Sequence, residues 1–254
     1  MLFSKTKVAL QISTIASLVM LAACQGDGIN SGNFSGGKEN TNDTTNLRGS
    51  DNSVTYEMTF ESTWSATTHP TNIPSDIRFS RLIGAAHNQN VTLWQSGDKA
   101  SRGIELIAET GNIAELASEI DTAIITGKAK TRILTANTMP SPSGAGAFKT
   151  NFTTTSSFPL ISVAAMLTPS PDWFTGATNI NLLENGNFVA TKVVYLYAYD
   201  AGTDSGLSYD SANIDTVPAA NIYRLKNVNS NSSFDRTDIR YNAGPIGKLS
   251  FVKL

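Results

Sequence analysis

The chain has 254 residues, with 19 Lys+Arg against 21 Asp+Glu, one cysteine and two histidines. A formal net charge of −2 argues against a basic nucleic-acid-binding surface. A single thiol excludes an intrachain disulfide and a cysteine-built zinc or iron–sulfur centre. Charged residues make up 16%, below the roughly 25% usual in globular chains. The polar surface therefore falls to Ser, Thr, Asn and Gly, as in secreted β-rich proteins.

The first element is an address. Lys5 and Lys7 precede a run from Val8 to Ala23 without charge, short for a bilayer-spanning helix but suited to a signal-peptide core. It ends Leu21-Ala22-Ala23-Cys24, which resembles the lipobox of bacterial lipoproteins. That resemblance implies cleavage after residue 23 and acylation of Cys24, with more than one acyl chain for stable anchoring. Removing residues 1–23 deletes two lysines and no acid, taking the formal charge from −2 to −4. Gln25 stands where the lipoprotein sorting rule keeps Asp in inner-membrane members, so the resemblance points to the outer membrane or cell surface.

Residues 24–53 read as the lipidated cysteine and a flexible tether. Ile29, Phe34 and Leu47 are their only sizeable apolar residues, too few to offset the entropy of ordering the segment. A coil of that length spans roughly 30 Å.

Residues 54–254 form the folded domain. Val54, Tyr56, Met58 and Phe60 alternate, predicting a strand with one apolar side. Gly111 ends a helical segment running from about Lys99 to Thr110. Asn112 then caps a second helix as a capping box with Glu115, burying Ile113, Leu116, Ala117, Ile120 and Ile124 on one face. Met139 to Gly146 reads as a loop. Leu160 to Leu167 is a near-continuous apolar run, fitting a strand buried on both faces, and Val193 to Tyr199 is β-branched and aromatic. A short closing strand ends the chain. The sum is a mainly β domain, an antiparallel β-sandwich with a helical insert.

Two blocks carry a family resemblance. One runs from Phe79 to Ile120. The other joins Pro169-Ser170-Pro171-Asp172-Trp173-Phe174-Thr175-Gly176 to Asp200-Ala201-Gly202-Thr203-Asp204-Ser205-Gly206. With Trp64 and Pro245-Ile246, they resemble the spondin domain, the amino-terminal module of F-spondin and mindin. The resemblance implies an antiparallel sandwich holding a divalent cation, Ca2+, on end loops through Asp172, Asp200 and Asp204. Mindin-like members add a glutamate whose position aligns here with Thr153. The thrombospondin repeats and cysteines of animal members have no counterpart in this sequence, so functions attached to those repeats do not transfer.

The residue types agree with a hard cation. Calcium takes 6–8 oxygens, no soft ligand lies near these aspartates in sequence, and the spacing is not that of an EF-hand loop. Asp beside Gly also serves simply as a turn residue, and spacing alone leaves both roles open.

A trypsin-like reading is also available: Ala85-Ala86-His87 and Asp204-Ser205-Gly206 resemble the His and Ser segments of those proteases. Thr203 and Leu207 replace the glycines that would shape the oxyanion hole, which argues against a serine hydrolase using His87 and Ser205. His87 is expected to bond a loop carbonyl. Trp64, Trp94 and Trp173 are expected to pack in the core rather than form a sugar-stacking platform. The resulting expectation is a non-catalytic, calcium-binding recognition or adhesion module, anchored in a membrane by lipid and presented to a protein or glycan ligand. The alternative is a structural envelope lipoprotein whose calcium only stabilises the fold.

Overall fold

The structure is a computed structural model describing residues 51–69, 73–136, 147–225 and 244–254. The chain falls into two units, Met1–Asn46 and Leu47–Leu254, and every described residue belongs to the second. The expected signal peptide, Cys24, most of the tether and the Met139–Gly146 loop lie outside the described residues.

In chain order the elements are β1 (Ser53–Ser62), β2 (Arg78–Phe79), β3 (Ile83–His87), α1 (Arg102–Thr110), α2 (Ala114–Ile125), β4 (Ala129–Leu134), β5 (Ala147–Thr155), β6 (Leu160–Thr168), β7 (Trp173–Asn181), β8 (Leu183–Glu184), β9 (Asn187–Phe188), β10 (Thr191–Asp200), β11 (Tyr223–Arg224) and β12 (Gly247–Lys253). Apart from the small β8–β9 ribbon, they join one antiparallel sheet in the order β4-β3-β6-β7-β10-β12-β1-β5, with β2 on β6 and β11 on β10. The sheet curls until its two ends meet, where Thr150 Oγ1 on β5 donates to the Leu134 carbonyl on β4 at 3.2 Å. The outcome is the expected mainly β, sandwich-type architecture, nearly closed like a barrel.

Alternation along the strands divides the apolar residues into two cores. Tyr56, Met58, Phe60, Val163, Ala165, Leu196, Leu249 and Phe251 point inward and pack with Trp64 and Trp173. Ile83, Ala85, Ala164 and Phe174 point outward and are covered by Ile104, Ile107, Leu116 and Ile120 of the helices. β6 is therefore apolar apart from Ser162 and the terminal Thr168 because it is buried on both faces.

The helices differ from expectation at their starts. α1 begins at Arg102, because Ser101 is its N-cap and accepts from the Ile104 amide at 3.2 Å, while Lys99 bridges to Asn221 instead. Gly111 ends α1 as expected, in the left-handed region. The capping box does not form. Asn112 Oδ1 accepts from the Ala114 amide at 2.9 Å, Ile113 occupies the N-cap position, and Glu115 is exposed. The acid that caps a helix is Glu119, which crosses from α2 to accept from the Gly103 amide at 2.7 Å and the Ser101 hydroxyl at 2.8 Å.

Two glycines set the spacing of the central strands. A Cβ on Gly84 of β3 would lie 1.9 Å from the Ser162 carbonyl oxygen, and one on Gly176 of β7 would lie 2.1 Å from that of Val163. Both clashes are with the β6 backbone beside its irregular register near Ser162, so no rotamer change relieves them. Gly84→Ala and Gly176→Ala are each expected to destabilise the fold by about 2 kcal/mol or more. Urea denaturation checks this, and a change below about 0.5 kcal/mol would contradict the close approach.

Candidate functional site

Antiparallel pairing brings Asp172 and Asp200 to one end of the sheet. Asp172 precedes β7, Asp200 ends β10, and Asp200 pairs with Trp173 in the ladder. The Ala201 amide then donates to the Asp172 carbonyl at 3.1 Å. The chain enters β1 at the other end: Thr191, at the start of β10, pairs with Val252 close to the Tyr56–Lys253 pair. A ten-residue strand at about 3.3 Å per residue covers roughly 30 Å, so the aspartates sit far from where the domain begins.

The loop after β10 is built on the carboxylates themselves. Asp200 Oδ1 accepts from the Gly202 amide at 2.8 Å, closing an Asx-type turn. Gly202 has φ +74°, and a Cβ there would meet the Ala220 backbone at 2.7 Å, so the turn requires glycine. Asp172 Oδ2 reaches across from the β6–β7 hairpin and accepts from the Thr203 amide at 2.8 Å and the Asp204 amide at 3.1 Å. Asp204 in turn accepts from the Gly206 and Ile214 amides, both at 2.6 Å. The Tyr223 hydroxyl donates to Asp200 Oδ2 at 2.9 Å.

All three sequence-predicted aspartates are thus gathered in one loop cluster, and all three are buried. Both oxygens of Asp200 and of Asp204 accept a hydrogen bond. Asp172 is fully buried, yet its Oδ1 has no partner. Among the described residues, no three acidic or imidazole side chains converge as a ready-made ligand shell, and no ion pair includes any of these aspartates.

Burial works against the charged form of these carboxyls. Burial pushes the Asp172 carboxyl above the usual range, with Asp204 repulsion adding to it. Burial, with repulsion from Asp172, raises Asp200 to about 7. Glu109, from the last turn of α1, is also raised, first by burial and then by repulsion from Glu105, Asp172 and Asp204. Glu109 is the acidic neighbour that the sequence did not single out. Thr153, aligned with a family glutamate, lies on β5, where its hydroxyl meets that of Thr55 at 3.3 Å.

The donor set, carboxylate oxygens with backbone carbonyls nearby and no thiolate or imidazole, fits a hard divalent cation in chemistry. The orphaned Asp172 oxygen is the atom whose desolvation such an ion would offset.

The protease pairing does not form. His87 is fully buried, with Nδ1 2.8 Å from the Asn88 carbonyl and Nε2 2.8 Å from Ser162 Oγ, so both ring nitrogens are engaged away from Ser205. The Ser205 hydroxyl donates to the Ile214 carbonyl at 3.1 Å. The tryptophans are core residues: Trp64 and Trp173 pack on Tyr209, and Trp94 packs on Phe174 and Tyr199 while its Nε1 donates to the Val163 carbonyl at 3.1 Å. None of the three offers a sugar-stacking platform.

Residues 54–240 match the Spondin_N family. Over 182 residues, 70% of this chain, the sequence is 31% identical to spondin-2 of Rattus norvegicus and covers 54% of that protein. Over 155 residues, 58% of this chain, it is 35% identical to spondin-1 of Gallus gallus and covers 19% of it. The chain therefore spans about half the length of the spondin-2 relative and about a fifth of the spondin-1 relative. With the matched region holding most of the sheet, both helices and all three loop aspartates, the chain belongs to the spondin amino-terminal domain family.

Proposed function

We propose that the protein is a non-catalytic, extracellular recognition or adhesion module whose end loops hold Ca2+ through Asp172, Asp200 and Asp204. The observation that carries this reading is the fully buried, unpartnered Oδ1 of Asp172 amid acids that no ion pair among the described residues neutralises. A carboxylate oxygen has two lone pairs, so the amide bonds that shape the loop leave each aspartate able to face an ion as well. A bound dication supplies charge compensation and an open coordination position for an acidic group of a protein or glycan partner. Asp172 anchors the loop, Asp200 fixes its turn, and Asp204 joins it to Ile214.

A second reading has its own support. Each aspartate already organises backbone, which suits a structural envelope protein whose calcium only rigidifies the fold. Retention on cells, glycans or matrix that is lost with chelator favours recognition. Calcium-dependent stability without any such retention favours the structural role.

Lipid attachment at Cys24, outer-membrane or surface placement and the flexible tether complete the proposal. No helix among the described residues is long and apolar enough to cross a membrane, and the tether with the distal site suits display away from a lipid surface. Cys24→Ser is expected to move the protein from the membrane to the soluble fraction. An unchanged membrane fraction would reject lipid anchoring.

Calcium at ten times its dissociation constant is expected to stabilise the wild-type chain by about 1.4 kcal/mol, raising Tm by about 3–5 °C. Asp172→Asn should remove the increment. Identical melting curves with calcium and with chelator would overturn the site.

The metal-free protein should also respond to pH through Asp200. The folded carboxyl holds its proton up to about 7, whereas an unfolded aspartate is ionised above about 4. Between those values the folded state binds more protons, so this group's contribution to stability is full below about pH 4 and is lost as pH rises through about 7. Thermal melts in chelator at pH 5 and pH 8 should show a smaller difference for Asp200→Asn than for wild type. An equal difference would show that Asp200 is not the titrating group.

A further inference from the structure

A polar knot sits in the helix-covered core, on the strands that carry Ala85 and Ala164. There β7 sets two residues, Thr178 and Asn179, against the single Ser162 of β6, where the register shifts between Ile161 and Val163. Asn179 turns with φ +54°, and its amide donates to Ser162 Oγ at 2.9 Å. The fully buried His87 of β3 closes the knot, with Nε2 2.8 Å from the same oxygen.

Counting hydrogens fixes the state of the ring. The Asn88 carbonyl, 2.8 Å from Nδ1, can only accept, so Nδ1 carries the proton of the neutral imidazole. Thr178 gives its hydroxyl hydrogen to the Trp94 carbonyl at 2.9 Å. The Ser162 hydrogen then goes to His87 Nε2, the nearer of its two acceptors, since Thr178 Oγ1 lies at 3.2 Å. Trp94 is tied down twice, because its Nε1 also donates to the Val163 carbonyl at 3.1 Å.

A proton on Nε2 would make this knot a buried cation, and no counter-charge stands by it. β3, β6 and β7 carry no Lys, Arg, Asp or Glu. Among the neighbouring segments, Asp98, Glu115, Lys128 and Lys130 are exposed. Arg132 of β4 pairs with Asp121 of α2, Glu119 accepts from Ser101 and Gly103, and Lys149 of β5 pairs with Glu57. Among the described residues no ion pair includes His87. Burial accordingly pushes the imidazole below its ordinary value, outweighing the opposite pull of the Asn88 carbonyl.

We propose that His87 is an acid-sensitive latch: neutral, it locks the β6–β7 bulge and, through Thr178, the Trp94 segment, and its protonation loosens the helix-covered core. An unfolded histidine protonates near 6.5. The contribution of His87 to stability is therefore full above about pH 6.5 and is lost as pH falls below it, opposite in sign to that of Asp200.

The test is urea unfolding of the purified chain at pH 8 and pH 5. With the latched ring unprotonated, His87 alone raises the unfolding constant by about thirtyfold between them. The ratio of the constants at pH 5 and pH 8 should then be about ten- to thirtyfold smaller in His87→Gln than in wild type, and equal ratios would overturn the latch. Amide hydrogen exchange, corrected for intrinsic rates, should show α2 and residues 88–98 losing more protection at pH 5 than β1 and β12; a uniform loss would refute the local loosening. If His87→Gln does not fold, nitrogen NMR of the wild-type ring decides. A proton on Nδ1 at pH 8 and no titration down to pH 5.5 support the latch, whereas a proton on Nε2 or titration at about 6.5 overturns it.

Discussion

The end of the sheet depends on the carboxylate of Asp172 reaching two backbone amides, those of Thr203 and Asp204, across the gap between two strand connections. Without that bridge the loop after β10 would have to satisfy those buried amides elsewhere, and an unpaired buried amide costs about 1–3 kcal/mol. The bridge works only because Asp172 is out of water, and the same burial is what makes its second oxygen unsatisfied. Loop order and the unsatisfied oxygen therefore share one origin. The residue that organises the loop also creates the local excess of negative charge.

The sheet divides into two functional halves by what covers it. Over β3, β6 and β7 the outer face is closed by α1 and α2, which explains why β3 can be small and apolar and why Gly84 and Gly176 permit close backbone approach. Over β10 the outer face is open, with Val193 and Tyr195 exposed. The aspartate cluster lies where the two halves meet, with Asp172 just before β7 and Asp200 at the end of β10, beside the helix-covered core. Support from both sides suits groups whose mutual repulsion would otherwise spread them apart.

Much of this was legible in the sequence, for identifiable reasons. β1 announced itself because Tyr56, Met58 and Phe60 alternate against Thr55, Glu57 and Thr59, one side buried and the other half-buried. β6 was legible as a run buried on both faces. β4 and β5 were not, because Ala129 and Ile133 are too few for a pattern and the outward positions of β5 are Thr, Asn and Lys. The capping box failed because Asn112 bonds one residue early, to Ala114, and Glu115 turns to solvent. The aspartates were recognisable from their motif and from turn chemistry. Glu109 was not, since Glu105, Glu115 and Glu119 lie on the same two helices and each has a different fate. Which one meets the loops depends on how α1 is rotated against Phe174 and Ala201, a contact set by residues more than sixty positions away.

The proposed structural and recognition roles of the site are not rivals at the level of the residues. An aspartate that accepts a backbone amide is held in a fixed orientation, and a ligand oxygen already oriented loses less freedom on meeting an ion. The hydrogen bonds to Gly202, Thr203, Asp204, Gly206 and Ile214 thus pre-arrange the acids, leaving repulsion as the main opposing force. A loop shaped this way gains most from a cation where burial works against the charged form of its carboxyls, as it does for Asp172 and Asp200. On the proposed reading the same physics acts on an approaching surface: an acidic one is repelled by these carboxyls when no ion is bound and attracted once one is.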